Sequence, residues 1–157
     1  MTIARQYVAS AVMGSKIYVF GGCNAPVRFS TSWDACLTNT VESFDGHKWS
    51  TEPSMVYASS GNNAVTWNNR VYVFKSGTNA DKSHKDRITE VFDGTTWTLN
   101  KPIASDNVGR RGFAVFRGRI HMAGGYTVDG TGKTTVTNEV KAWTGTEWSP
   151  VARTMVP

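Results

Sequence analysis

The chain is short of several residue types, and each shortage closes a route. It has two cysteines in 157 residues, Cys23 and Cys36, too few for a framework of several disulfides. Neither lies in a CxxC pair or has a histidine at ligand spacing, so no zinc motif is present. In a reducing compartment the two thiols stay unpaired, which is the expectation here; a disulfide within the first long loop is the alternative in an oxidising setting. No apolar run approaches the ~20 residues that a membrane helix needs. The first residues lack the charged-then-apolar layout of a signal peptide, and there is no Asn-x-Ser/Thr sequon. Together these features point to a cytoplasmic protein. Only 18% of residues are charged against 39% hydrophobic, a globular balance and not a disordered one. Helical periodicity is missing throughout.

What the chain does have is a repeat. Ile17-Tyr18-Val19-Phe20 returns as Val71-Tyr72-Val73-Phe74 and again as Ile120-His121-Met122-Ala123, with spacings of 54 and 49 residues. Periods in this range mean stacked supersecondary units. Each copy is preceded by a turn pair, Gly14-Ser15, Asn68-Asn69 or Arg117-Gly118. Such residues reach positive φ cheaply, as a tight hairpin requires. The spacing therefore predicts a first hairpin, strands A and B, in each unit.

A second hairpin follows in each. Val41-Glu42-Ser43-Phe44-Asp45-Gly46 leads to Trp49, Thr89-Glu90-Val91-Phe92-Asp93-Gly94 to Trp97, and Val140-Lys141-Ala142-Trp143-Thr144-Gly145 to Trp148. Asp-Gly between apolar runs is a hairpin signal, so strand C ends before the turn and strand D carries the Trp. The paired aromatics suit the space between neighbouring units.

With its glycine doublets Gly21-Gly22 and Gly124-Gly125 and the aromatic-turn-Trp arrangements, the chain resembles the kelch family. The resemblance spans nearly the whole chain, with Lys75-Ser76-Gly77 replacing the doublet in the middle unit. It implies an all-β, kelch-type β-propeller with three four-stranded antiparallel blades, at about residues 8–52, 62–100 and 112–152. The 157 residues form one domain.

Both tight turns of a blade lie at one end, so the B–C loops and D–A linkers share the opposite rim. Long loops on a rigid scaffold are where function concentrates. The expected partner contacts are Arg28, Trp33, Tyr57, His84, Arg110, Arg111 and Tyr126. Arginine can grip carboxylates bidentately, and aromatics can anchor in pockets. The net charge of +5 reads first as solvated loop charge, with an acidic protein or peptide partner as the sharper alternative, and no nucleic-acid module is visible.

Propellers run from about four to eight blades, so three are half of a six-bladed ring. Two copies joined head to tail, twice, would close it; the competing account is a fragment of a longer repeat chain. Some kelch-type propellers are copper oxidases, sugar epimerases or iron-dependent specifier proteins. With only His47, His84 and His121, no metal or other cofactor is expected. Glu42 and Glu90 occupy equivalent strand positions and read as structural. The expectation is a non-enzymatic binding scaffold and homodimer, against an epimerase-like or metal-dependent enzyme or a purely structural fragment.

Overall fold

The turn residues do what their chemistry allows. Asn68 and Asn69 have φ of 49° and 55°, and Arg117 and Gly118 have φ of 47° and 71°. Both central residues are left-handed, the type I′ geometry that matches the twist of the flanking strands. The Asp-Gly turns are longer. Phe44 pairs with Trp49 and Phe92 with Trp97, leaving four-residue loops. In the first, Asp45 Oδ1 accepts from the backbone N–H of His47 and Lys48, both at 2.9 Å. In the second, Asp93 Oδ1 accepts in the same way from Thr95 and Thr96. Thr144 Oγ1 takes over this role in the third unit, accepting from Glu147 N.

The computed structural model describes residues 1–24, 33–75, 89–100, 107–109, 111–129 and 131–151, without the side chains of 33, 34, 107–109 and 128. Its strands form three four-stranded antiparallel sheets and one smaller sheet. Blade 1 is β1 (Ala9–Met13), β2 (Lys16–Phe20), β3 (Val41–Phe44) and β4 (Trp49–Glu52). Blade 2 is β5 (Asn63–Trp67), β6 (Arg70–Phe74), β7 (Thr89–Phe92) and β8 (Trp97–Asn100). After β9 (Asn107–Gly109), blade 3 begins with β10 (Gly112–Phe116) and β11 (Arg119–Ala123). A hairpin of β12 (Tyr126–Val128) and β13 (Thr134–Val136) interrupts it before β14 (Val140–Trp143) and β15 (Trp148–Pro150). The fold class is the all-β, bladed architecture that the repeats imply. The added sheet, in the order β13-β12-β9, was not anticipated. Nor was the short 3-10 helix Trp33–Cys36.

Two aromatic cores join the blades. Between blades 1 and 2, Tyr18, Phe20 and Val41 pack against Val71, Val73 and Phe92. Phe20 meets Trp97 edge to face at 5.8 Å. Between blades 2 and 3, Tyr72, Phe74 and Val91 pack against Ile120, Met122 and Trp143, with Phe74 stacked on Phe113 at 4.2 Å. The A strands of neighbouring blades lie against one another, β1 on β5 and β5 on β10, so the blades converge along their first strands. Trp67 Nε1 adds a hydrogen bond to Gly118 O at 2.7 Å.

The first glycine doublet lets loop and linker backbones touch. A Cβ on Gly21 would stand 2.5 Å from Ser59 O, and one on Gly22 would stand 2.7 Å from Gln6 O. Both contacts are closer than any side chain tolerates. The space goes to backbone hydrogen bonds instead, from Gly22 N to Ser59 O and from Gln6 N to Cys23 O.

Candidate functional site

The rim opposite the tight turns is built from linkers and B–C loops that pair with one another. In blade 1, Cys23 bridges Gln6 on one side and Leu37 on the other. In blade 3, β12 pairs with β9 through Tyr126 and Gly109, and with β13 through Tyr126 and Val136. Gln6, Cys23 and Leu37 occupy the repeat positions of Gly109, Tyr126 and Val136. Linkers also contact each other, since Gly61 N donates to Tyr7 O at 2.9 Å. Tyr7 holds φ of 56° where blade 2 has Gly61 at 67°. A left-handed tyrosine costs about 1–2 kcal/mol, and this one is half exposed at the rim. Sequence reasoning missed it; the glycine at the equivalent position was the available signal.

Beneath the rim, buried ion pairs fasten linkers to blades. Glu42 takes Arg5 Nη2 at 2.5 Å, and accepts from Thr2 N and Thr2 Oγ1. Glu90 takes Lys75 Nζ at 2.6 Å, and accepts from Val56 N and Tyr57 N. Lys75 Nζ also donates to Tyr57 O at 2.7 Å and lies 5.3 Å from the centre of the Tyr57 ring. Burial pushes the Glu42 carboxyl up, but the hydrogen bonds from Thr2 and Arg5 outweigh it and hold the group below the ordinary carboxylate value. Burial draws Lys75 below the ordinary lysine value despite Glu90 beside it. Both glutamates are therefore occupied in holding backbone, as their equivalent positions suggested.

The expected contact residues divide accordingly. Tyr57 is half-buried on the linker, over Lys75. Tyr126 is half-buried in the central strand of the rim sheet. Trp33 opens the 3-10 helix of the first B–C loop. Arg111 corrects the sequence expectation. It is 4% exposed, its guanidinium turned inward to Glu139 at 3.4 Å and to Met122 Sδ at 3.6 Å. Lying just before strand A, its side chain enters the blade and leaves the rim. Arg28, His84 and Arg110 lie outside the described residues.

The cysteine expectation is also corrected. Cys23 and Cys36 form a disulfide, with Cα atoms 4.8 Å apart. The cause is the rim junction itself: Cys23 pairs with Leu37, the neighbour of Cys36, so the two thiols are held side by side. Among the described residues, no three of His, Cys, Asp and Glu group closely enough to hold a metal ion.

Residues 4–56 match the family model described as the Kelch motif. No curated protein matches the sequence. The chain is similar to the solved structure titled "Structure of YjhT", a kelch-type propeller, with a TM-score of 0.67 and 14% identity. The match covers 98% of this chain and 53% of that one, so the chain spans about half the length of that structure. An identity this low speaks for the fold alone. The chain thus shares the bladed propeller fold of that structure, in three four-stranded sheets, with the Kelch motif matched over the first of them.

Proposed function

We propose that this chain is a non-enzymatic scaffold that pairs head to tail with a second copy to close a six-bladed ring, and offers its loop-and-linker rim to a protein or peptide partner. One observation carries the ring. Repeat-equivalent residues are buried where a neighbouring blade exists and exposed where none does. Val71 and Ile120 are fully buried, whereas Ile17 is 45% exposed. Met55 is 2% exposed against blade 1, whereas Met1, its equivalent, is 43% exposed. On the other flank, Phe116 is 59% exposed. The two flanks thus repeat the two halves of an interface the chain already makes internally, and apolar surface of this kind marks association.

The closing junction is not a full copy of the internal ones. Blade 3 presents His121 and Ala123 where blades 1 and 2 present Tyr18 and Phe20, and Tyr72 and Phe74. With less aromatic area to bury, the closing junctions are the weak ones of the ring. The scaffold reading draws support from the fold and from Glu42 and Glu90, both committed to buried ion pairs. The alternative is that further blades of a longer polypeptide cover the same flanks.

Light scattering tests the ring. The expected mass is twice the 17.2 kDa of the chain, falling to the single-chain value in Ile17→Lys with the circular dichroism spectrum unchanged. A wild-type protein that stays at the single-chain mass at high concentration refutes self-closure.

A further inference from the structure

The rim sheet ends in an open strand. β13 lies at the end of the order β13-β12-β9, and all three of its residues are exposed, Val136 by 84%. Its hydrogen-bond parity follows from its flanks. Asp129 N donates to Lys133 O at 3.1 Å, and Thr137 N donates to Gly125 O at 3.0 Å. Opposed residues in an antiparallel ladder alternate between bonded and non-bonded pairs. Thr127 and Thr135, midway between those two, are therefore a bonded pair. Val128 with Thr134 and Tyr126 with Val136 are not. Thr134 and Val136 thus turn their N–H and C=O groups away from β12, where they have no partner among the described residues.

The hairpin presenting this edge is firmly made. Asp129 Oδ1 accepts from Thr131 N at 2.9 Å, Thr131 Oγ1 at 2.7 Å and Lys133 N at 3.0 Å. The edge is thus pre-organised, which lowers the ordering cost of binding. It consists of β-branched residues only, Thr-Thr-Val, with the cation Lys133 beside it on a chain of net charge +5.

We propose that the free edge of β13 binds an extended, acidic peptide segment as an added strand. Two residues of the peptide would exchange N–H and C=O bonds with Thr134 and Val136. One apolar side chain would cover Val136, and a carboxylate would lie toward Lys133. The proposal rests on the scaffold reading and names its site.

The test starts by selecting binders for the whole chain from a displayed library of random linear peptides. Backbone amide exchange is then measured by NMR. Without peptide, the Thr135 amide is protected while Thr134 and Val136 exchange freely; with a selected peptide, all three are protected. Val136→Pro removes one outward donor and leaves the Thr127–Thr135 pair intact, so it should weaken peptide binding about tenfold or more. Peptides that bind Val136→Pro as tightly as wild type, or that protect a different surface, overturn the β13 site while leaving the scaffold reading in place. A library that yields no binder overturns both. Protection of Thr134 and Val136 in protein alone, rising with concentration, assigns the edge to a second copy and also overturns the proposal.

Discussion

Blades 1 and 3 carry the same three-way backbone junction at the rim and secure it differently. Blade 1 holds Gln6, Cys23 and Leu37 by single bridges and ties the loop with the Cys23–Cys36 bond. Blade 3 draws the equivalent Gly109, Tyr126 and Val136 into three strands and closes the hairpin around Asp129. The consequence shows in the outer residue, half-buried at Leu37 and almost fully exposed at Val136. A covalent tie needs no strand length, so it leaves little edge; a hydrogen-bonded hairpin must be long enough to persist, and its outer strand stays open. The two blades differ at their flanks as well. Blade 1 commits Tyr18 and Phe20 to the next blade, and blade 3 offers His121 and Ala123.

The sharpest break of that contrast is Phe20→Ala, which gives blade 1 the residue blade 3 already has. Loss of a fully buried ring against Trp97 should cost about 3–5 kcal/mol in urea unfolding. The reverse change, Ala123→Phe, should tighten dimerisation if the ring closes as proposed, and sedimentation equilibrium would show it.

Next comes the covalent tie. Replacing Cys23 and Cys36 by alanine opens a loop with a sequence separation of 13 and should cost about 2–4 kcal/mol. Added reductant should produce the same fall in the wild-type urea midpoint and none in the variant. Tyr126→Ala, at the equivalent position of blade 3, should respond to reductant as wild type does.

Glu42→Gln tests the ion pair beneath the blade 1 rim, at a position where blade 3 has Lys141. At neutral pH the loss should be about 1.5–3 kcal/mol, as for hydrogen bonds to a charged group. The folded carboxyl titrates below its unfolded value. Its contribution is therefore present above the ordinary carboxylate pKa of about 4.3 and is lost as pH falls through the lower folded value. Wild type and variant should converge in stability on acidification, and a gap that persists at low pH would contradict the assignment.

The smallest effect belongs to Val136→Pro. Its outward N–H has no bond among the described residues, so global stability should move by no more than about 0.5 kcal/mol. Thr135→Pro, which removes a bonded pair, should release the hairpin and speed amide exchange at Thr127.

Much of this architecture was legible because its signals are local. Turn pairs such as Asn68-Asn69 declare themselves by φ preference, and each Trp follows its glycine at a fixed distance. The aromatic stripes Tyr18/Phe20 and Tyr72/Phe74 carry the strand period, so the core faces could be read from alternation. The buried ion pairs and the hydrogen bonds around them were hidden because they join residues far apart in sequence: Arg5 and Lys75 pair with Glu42 and Glu90, and the linker amides of Val56 and Tyr57 donate to Glu90. Strands as short as β12 and β13, three residues each in a loop rich in Thr and Gly, are too brief to show a periodic apolar pattern, so they read as loop. Arg111 and the cysteines were misjudged for a common reason. One residue of register decides whether a side chain enters a blade or leaves it, and register at a loop end is not written in composition.

The linker between blades 1 and 2 divides its backbone between them. Met55 N and Ser59 N donate to blade 1, at Asn39 O and Thr38 O, while Val56 N and Tyr57 N donate to Glu90 in blade 2. Neither blade can melt without stripping bonds from a segment the other is still holding. Nearest-neighbour coupling of this strength merges the two units thermally, so calorimetry should record one heat-absorption peak for the pair.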